Sequence, residues 1–476
     1  MTQIIILKGI YTDSNADFRT AYPINLIPVA MEAGVGASTA NNLSNGYLRQ
    51  AYGIVEGCTH TYGNCRGLTV WNDALYGVFG SNFVRINEDF TIALIGNVGG
   101  GLQCRFTYGF DRLAINSSGK IYYYDNTSLT SITDIDLGYI TDTVWVDGYF
   151  MFTDGQYLIV TELNDPYAIN PLKYGSSEAD PDRIYRLIKI KNEVCAVNRY
   201  TIETFDNVGG DNFPFARIEG AQIQKGALGS NCVCFFKETV AFLGSGKNET
   251  PSIYLASNGQ VTMIASEGIN QILRNYSDEQ LSGVQLEQKI DGNQEFLLVH
   301  LPNKTLVFDA YASKMFGVYT WHILQSGVAN PSEYLANNFT YAYNKWFCTH
   351  KTEQKIGYLV SDISSHWDND CTWEFSTGIT YNASAGVIFH ELELLCLTGR
   401  VANNAKPVIW TSYSNDGLSW SLEKPAIVGQ IGDTIRKVSW LQQGYMKRWR
   451  IQKFRGNSDA FISVARLEAR MEGLNV

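Results

Sequence analysis

Residues 68–96 read LTVWNDALYGVFGSNFVRINEDFTIALIG. Apolar and β-branched residues fill short runs in this segment, and the polar pair Asn72–Asp73 separates the first run from the second. Such runs, joined by tight Asn/Asp/Gly turns, are typical of antiparallel strands in a meander. A single meander cannot bury its own faces, so the segment predicts packing against further copies of itself.

Six other segments repeat this order of strand, tight turn, strand, turn and strand. The seven copies begin at Leu68, Phe110, Val144, Ile188, Cys234, Leu286 and Phe339. Their opening turns are spaced by roughly 36 to 54 residues, which is the length expected of a propeller blade. Radial stacking lets each blade cover its neighbour and leaves few exposed edges. The sequence therefore predicts an all-β chain with a β-propeller of about seven blades, and a stack of ordinary β-sandwiches is the alternative.

The periodicity changes after residue 370. Longer alternating strands such as VIFHELELLCLTG and KVSWLQQGYMKRWRIQKF predict an antiparallel β-sandwich appended to the ring. The predicted domains are an extended N-terminal segment that enters the ring (1–66), the propeller (67–370) and the C-terminal sandwich (371–476). Residues 267–281 depart from the strand pattern and predict a short helix followed by a second helical turn, capped by Ser277 with Gln280 as in a capping box.

Charge is unevenly divided between these regions. The chain has a formal net charge of −10, and residues 371–476 contain 12 Lys and Arg against 9 Asp and Glu, so residues 1–370 carry −13. Proteins that bind nucleic acid through its phosphates need a concentrated basic surface. Sequence-specific DNA binding by residues 1–370 is therefore not expected.

The sequence contains no recognisable catalytic or metal-binding pattern. Its nine cysteines are scattered and predict reduced structural thiols, and its six histidines lack metal-ligand spacing. We therefore predict no catalytic residue, metal or cofactor, and no run long enough to span a membrane. A glycan-cleaving propeller would need a close carboxylate pair, which the sequence alone cannot choose.

The hairpin at residues 414–420 (SNDGLSW) resembles the Asp-box turn of sialidase-like propellers and is also common in discoidin-like sandwiches. We interpret it as a folding device in which Asp416–Gly417 forms the turn and Trp420 covers it. A glycan contact by Trp410 or Trp420 is the alternative.

The C-terminal region also contains a basic cluster. Its members are Arg436, Lys437, Lys447, Arg448, Arg450, Lys453 and Arg455. Alternating arginines mark the solvated face of a strand in the simplest interpretation. The functional interpretation is a docking face for an acidic partner, because opposite potentials steer assembly.

A series of short strings resembles the tail hub (nozzle) proteins of short-tailed double-stranded DNA phages, also described as packaged DNA stabilisation proteins or tail accessory factors. The strings, in order, are DFR at 17–19, NLIPV at 25–29, GYLR at 46–49, YTIETF at 200–205, PSIYL at 251–255, ILRNY at 272–276, FLLVHLP at 296–302, VFDA at 307–310 and the Asp416–Gly417 hairpin. The similarity runs from about residue 17 to 470, and it depends on the order and spacing of the strings. Tyr52 departs from the family, which usually has Pro before Gly53–Ile54, and the loops at 34–45 and 99–101 look particular to this member.

The resemblance implies a virion protein of the phage tail, made in the host cytoplasm. It implies a homo-hexameric ring below the portal and the adaptor (head-to-tail connector) ring, which retains packaged DNA and lets the genome pass without sequence-specific binding. The implied partners are a tail needle or plug and tailspikes or fibres. Candidate assembly residues are Tyr47, Leu48, Arg49, Arg436, Lys437, Lys447, Arg448 and Arg450. A glycan-binding or glycan-cleaving propeller is the alternative function.

Overall fold

The structure is a computed structural model that describes residues 1–10, 22–30, 46–109, 111–134, 136–177, 180–383, 385–401 and 406–474. The string at 17–19 and the loop at 34–45 that the sequence singles out lie outside these residues. The described part of the chain contains 41 short strands and three α-helices.

The N-terminal segment supplies four strands. They are β1 (Thr2–Ile4), β2 (Leu26–Val29), β3 (Tyr47–Gln50) and β4 (Gly53–Thr59). The first three pair within the C-terminal region, and β4 pairs with a propeller strand.

Four consecutive antiparallel sheets follow, each with its strands hydrogen-bonded in chain order. Blade 1 contains β5 (Cys65–Trp71), β6 (Ala74–Phe79), β7 (Asn82–Ile86) and β8 (Ile92–Asn97); blade 2 contains β9 (Arg105–Tyr108), β10 (Leu113–Ser117), β11 (Lys120–Tyr124) and β12 (Leu129–Ser131); blade 3 contains β13 (Asp142–Val146), β14 (Tyr149–Thr153), β15 (Tyr157–Glu162) and β16 (Asp165–Ser176); blade 4 contains β17 (Ile184–Ile190), β18 (Glu193–Asn198), β19 (Ile202–Asn207) and β20 (Phe215–Arg217).

Three further sheets complete the ring. Blade 5 contains β21 (Gly226–Ala227), β22 (Val233–Phe236), β23 (Thr239–Ser245), β24 (Ser252–Ser257) and β25 (Gln260–Met263); blade 6 contains β26 (Gln285–Asp291), β27 (Gln294–Leu301), β28 (Lys304–Asp309) and β29 (Thr320–Leu324); blade 7 contains β30 (Ala336–Ala342), β31 (Lys345–His350) and β32 (Lys355–Val360). The fourth strand of blade 7 is β4, so the N-terminal segment finishes the last sheet.

The opening turns explain why the repeat is visible in the sequence. Residues in the pairs Asn72–Asp73, Lys237–Glu238 and Tyr343–Asn344 all have φ between +47° and +60°. Two consecutive positive φ values define the type I′ turn, whose twist matches that of the strands it joins. The same geometry at Asp147–Gly148 opens blade 3.

Packing between blades closes the ring. The first strands β5, β9, β13, β17, β26 and β30, with β22 in the place of the two-residue β21 of blade 5, each contact the next, and β30 contacts β5. Shared apolar clusters lie between neighbouring sheets; for example, Tyr76 and Phe83 of blade 1 pack with Ile115 and Tyr124 of blade 2. Each fully buried large side chain contributes about 1.5–3 kcal/mol. The prediction of a propeller of about seven blades is confirmed.

The helices lie within the blade 5–6 region. A 3₁₀ turn (Glu219–Ala221) precedes blade 5, α1 (Glu267–Leu273) and α2 (Asp278–Ser282) join blades 5 and 6, and α3 (Ala310–Phe316) lies inside blade 6. Ser277 and Gln280 form the predicted capping box at α2. The sequence pattern did not reveal α3, which begins at the N-cap Asp309 and ends at Gly317 with φ +72°.

The remaining strands form two packed sheets. They are β33 (Trp373–Ser376), β34 (Thr380–Tyr381), β35 (Val387–Cys396), β36 (Val408–Ser414), β37 (Lys424–Ile427), β38 (Val438–Leu441), β39 (Tyr445–Met446), β40 (Trp449–Gly456) and β41 (Ser463–Gly473). One sheet has the order β2-β3-β41-β35-β38, with β1 on β41 and β39 on β35, and the other has the order β33-β40-β36-β37, with β34 on β40. Leu48 and Leu467 of the first sheet share a core with Phe375 and Phe454 of the second. The predicted antiparallel sandwich is thereby confirmed.

Residues 24 and 25 join the two regions. Ile24 forms bridges to Ile323 of blade 6 and to Glu374 of the sandwich. The buried Asn25 side chain donates hydrogen bonds to the carbonyls of Gln325 (2.9 Å) and Thr372 (2.8 Å). The domain boundaries at residues 66 and 370 stay a prediction, and the N-terminal strands lie in both regions.

Candidate interaction surface

Two edge strands, each paired on one side only, lie next to each other at one side of the sandwich. β38 ends the first sheet and β37 ends the second, and the two strands contact each other. Trp440 Nε1 donates to the Lys424 carbonyl (3.0 Å), and Lys424 Nζ donates to the Gln442 carbonyl (2.6 Å). We call residues 418–448, which contain both strands, the sandwich edge.

The sandwich edge exposes many large apolar side chains. Ile435 is 96% exposed and Leu422 is 91% exposed. The other members of this exposed set are Leu418, Ile427, Ile431, Leu441 and Tyr445. Isolated apolar residues on a surface are ordinary, but a concentration of them with unpaired strand edges marks a site of contact with another molecule.

Basic residues flank this apolar surface in two groups. Lys437 contacts Glu391 (2.7 Å) and Glu393 (3.0 Å), and Arg436 contacts Asp433 (3.3 Å). Lys447 and Arg448 are exposed and form no ion pair within the described part of the chain. The strands β38 and β39 both pair with β35, at positions that put the two groups roughly 30 Å apart. Four members of the sequence-predicted cluster therefore form two separate basic groups on one edge. Lys453 and Arg455 belong to β40 instead and pair with Glu374 and Glu423.

Arg450 differs from the interpretation of alternating arginines as an exposed strand face. Its side chain is only 1% exposed. The guanidinium donates to Gln452 Oε1 (3.0 and 2.6 Å) and to the Gln443 carbonyl (2.6 Å), and it stacks on Tyr413 and Phe389. Burial lowers the pKa of this guanidinium to about 10. Arg450 is a core residue, and its side chain is not available to a partner.

The candidates in β3 lie at the other end of the first sheet. Leu48 is fully buried in the sandwich core, so it too is unavailable to a partner. Tyr47 is exposed, and Arg49 bridges the sandwich to the propeller by donating to Gln294 Oε1 (3.0 Å) while stacking on Tyr52. Within this group, the interface assignment stays a prediction for Tyr47 and Arg49.

The 414–420 hairpin folds around its aspartate. Asp416 Oδ1 accepts hydrogen bonds from the backbone N–H of Leu418 (2.9 Å) and Ser419 (2.8 Å), and Gly417 has φ +74°. A hydrogen bond from the Ser419 hydroxyl, together with these two backbone bonds, holds the pKa of Asp416 below its usual range. Lys453 lies over the Trp420 ring (4.5 Å), and Arg455 lies over the Trp410 ring (4.9 Å). One face of each tryptophan is thus already covered by a cation.

Sequence reasoning missed the apolar part of this surface. Ile431 and Ile435 stand alone among Gly, Asp and Thr residues, where no strand or helix periodicity predicts their burial. Isolated isoleucines of this kind, in a segment without strand or helix periodicity, were the sequence signal that could have predicted an exposed apolar surface. In the described residues we find no group of three potential metal-binding side chains, and no helix is long and apolar enough to cross a bilayer.

Two family models match the chain: "Bacteriophage P22 Gp10, beta-propeller" over residues 2–364 and "Bacteriophage P22 Gp10, beta-sandwich" over residues 372–472. The chain belongs to the phage P22 Gp10 family.

A relative agrees over the full length. The chain is 26% identical over 491 residues to the tail hub protein gp10 of Salmonella phage P22, and the match covers 99% of each protein. The predicted resemblance to the tail hub family and the predicted structural role in a phage tail are confirmed.

Two solved structures are similar at low identity. The WD40 domain of Neurospora crassa Pan2 is 11% identical, with a TM-score of 0.42 over 63% of this chain and 89% of that chain. PorZ of Porphyromonas gingivalis, a surface component of the type-IX secretion system, is 10% identical, with a TM-score of 0.40 over 64% of this chain and 37% of that chain.

Proposed function

We propose that this chain is a non-catalytic hub of a short phage tail, which assembles as a homo-hexameric ring below the portal and adaptor. In this function it retains packaged DNA, provides the conduit for ejection and is made in the host cytoplasm before incorporation into the virion tail. The observation that carries the proposal is the match of both domains, over 99% of each chain, to a protein named as a tail hub.

The sandwich edge is the proposed assembly surface. It combines exposed apolar side chains such as Ile435 with the unpaired charges of Lys447 and Arg448. Residues 1–370 carry a net charge of −13, against +3 for residues 371–476. A contact between the edge of one protomer and the acidic region of the next is heterologous, and heterologous contacts generate rings when the rotation closes. The adaptor, a needle or plug, and spikes or fibres are the proposed further partners.

The acidic character of the chain supports passage of DNA without tight binding. A wall rich in basic residues would bind the phosphates through counterion release, and the bound DNA would resist movement. An acidic or neutral wall avoids this binding.

Two observations bear on the glycan-cleaving alternative. A cavity of about 770 Å³ beside blades 5 and 6 has two lysines and no carboxylate in its lining. A cavity of about 740 Å³ is lined by Asp154 and Asp182, but Asp154 accepts bonds from the N–H of Gln156 and Tyr157, while Asp182 accepts one from the N–H of Tyr200. Both carboxylates anchor local backbone, which favours the non-catalytic function.

Mixing the purified chain with the adaptor tests the proposal. Gel filtration and electron microscopy should show six-fold rings formed only with the adaptor or strongly promoted by it. A chain that stays monomeric in that mixture would contradict the proposed assembly, and turnover of host surface polysaccharide by the purified chain would contradict its non-catalytic character.

A further inference from the structure

Blade 2 and the loop before it surround an arginine-rich cavity of about 520 Å³. Its lining includes Arg105, Asn116, Ser118, Arg183 and Asn231. These residues come from blade 2 and from the segments that lead into blades 4 and 5. Because Arg105 belongs to a first strand, and first strands surround the axis of the ring, the cavity adjoins the centre of the propeller.

Hydrogen-bond donors and positive charges dominate this cavity. Arg105 and Asn116 are register partners on adjacent strands, so their side chains lie on the same face. One Arg105 nitrogen, Nη2, donates to the Ser230 carbonyl (3.0 Å) and to Asn231 Oδ1, but no carboxylate in the described residues pairs with this guanidinium. Asn116 is 4% exposed, and its Nδ2 has no acceptor in the described structure.

Arg66 adds a second uncompensated charge behind the cavity wall. It is 7% exposed and donates to the carbonyls of Leu102 (2.6 Å), Gly80 (2.9 Å) and Gly99 (2.6 Å), and its Nη2 has no acceptor among the described residues. A Cβ placed on Gly101 would lie 3.0 Å from this Nη2 and 2.9 Å from Ser118 Oγ. Gly101 therefore keeps the space between the guanidinium and the cavity open.

The neighbouring charges leave the site positive. Arg186 shares the Ser230 carbonyl with Arg105, and Asp142 lies 3.2 Å from Arg186. The lining of the cavity contains Arg105 and Arg183 and no carboxylate. Asp142 pairs with Arg186, and Arg183 also lines the cavity that contains Asp154 and Asp182. Burial, together with repulsion from Arg186, lowers the pKa of Arg105 to about 9. Arg105 has hydrogen-bond acceptors but no carboxylate partner, and a bound anion would offset the cost of desolvating its charge.

We propose that this cavity binds a phosphate group, from free phosphate or from a small nucleotide, with Arg105 as its principal ligand and Asn116 and Arg183 beside it. Donors that come from several chain segments suit an oxyanion with more than two oxygens better than a carboxylate. The site is separate from the sandwich edge, so it is independent of the proposed assembly.

Isothermal titration of the full chain with sodium phosphate, and separately with adenosine monophosphate, tests this site at constant ionic strength. We expect saturable binding that Arg105→Gln weakens at least tenfold. Gly101→Ala should weaken it several-fold because the added methyl group enters the space beside Arg66. Arg85→Gln, which removes an exposed arginine elsewhere in blade 1, is the matched control and should leave binding unchanged.

Equal affinity for the two probes would identify the phosphate group alone as the ligand, and tighter binding of the monophosphate would identify a nucleotide. Absence of saturable binding for both probes would overturn the proposal. So would binding that Arg105→Gln and Gly101→Ala affect no more than Arg85→Gln does. Circular dichroism of each variant establishes whether it is folded. If Arg105→Gln does not fold, Gly101→Ala still tests the site.

Discussion

The propeller region and the sandwich differ in net charge and in the burial of their histidines. Residues 1–370 carry −13 and contain five of the six histidines, all of them buried, and burial lowers the pKa of each. Residues 371–476 carry +3, and their one histidine, His390, lies at the surface. The sandwich also buries a cation, Arg450, which stays charged at every pH of biological interest.

This difference indicates separate tasks. The propeller buries histidines whose pKa values are lowered by burial, so acid should destabilise this region. The sandwich places apolar and basic side chains on one edge, which suits contact with other molecules. The two regions should therefore respond differently to substitution and to acid.

The largest expected effect concerns the buried guanidinium of the sandwich. Arg450→Ala should destabilise the chain by about 4 kcal/mol, because it leaves Gln452 Oε1 and the Gln443 carbonyl without their donor and removes the stacking on Tyr413 and Phe389. Arg448→Ala is the matched control and should change the free energy of unfolding by less than about 0.5 kcal/mol, since that side chain is exposed. Urea denaturation measures both; equal losses would contradict the buried position of Arg450.

The next effect concerns the connection between the regions. Asn25→Ala removes two buried donor bonds and the acceptor for the Gln325 N–H (3.0 Å), at a residue with φ +51°. We expect a loss of about 3 kcal/mol, from the bonds and from the left-handed backbone.

Asn258→Ala provides the control for Asn25. Asn258 has φ +50° but lies exposed in a blade 5 turn, so its substitution isolates the backbone cost, about 1 kcal/mol. Thermal unfolding of both variants measures how much more stability Asn25→Ala loses than Asn258→Ala. If Asn258→Ala is as damaging as Asn25→Ala, the hydrogen bonds between the two regions contribute little.

A third effect is the loss of stability in acid that the buried histidines of the propeller should cause. Burial, with a smaller contribution from Lys289, lowers the pKa of His322 to about 3. Because the unfolded histidine has a higher pKa, the unfolded chain binds more protons below about pH 6.5, and stability is lost as the pH falls from there towards 3. His322 alone should remove about 2 kcal/mol between pH 6.5 and 4.5.

Denaturation at pH 7 and pH 4.5 measures this loss. His322→Gln should show a smaller decrease in stability than the unmodified chain. An unchanged pH dependence in His322→Gln would mean that this imidazole does not contribute to acid sensitivity.

The sequence predicted the regular parts of this structure because they depend on local patterns. Type I′ turns at Asn72–Asp73 and Tyr343–Asn344 require residues that tolerate positive φ, and strand alternation follows from burial of one face. The capping box at Ser277 is also a local signal. Helix α3 was missed because its AYASKMF segment is short and lies directly between two blade strands.

The long-range parts could not be predicted. The pairing of β4 with β32 joins residues about 300 positions apart, and no local pattern encodes such a partner. The burial of Arg450 depends on Tyr413 and Phe389, which belong to different strands, so alternation within residues 447–455 could not distinguish it from Arg448. The cavity around Arg105 likewise forms from several blades.

The smallest expected change in stability is for a substitution in the sandwich edge. The same substitution should strongly weaken assembly, so it tests whether the sandwich, rather than the propeller, makes the contact. Ile435→Asp should alter the free energy of unfolding by less than about 0.5 kcal/mol, since the side chain is almost fully exposed. The same variant should weaken adaptor-promoted ring formation by tenfold or more, because it introduces a charge into the apolar centre of the proposed contact.

Leu172→Asp, at an 82% exposed position in blade 3, is the matched control and should assemble normally in gel filtration. Normal assembly of Ile435→Asp would move the contact surface away from this edge, whereas failure of both variants would mean that added negative charge, rather than the edge itself, limits assembly.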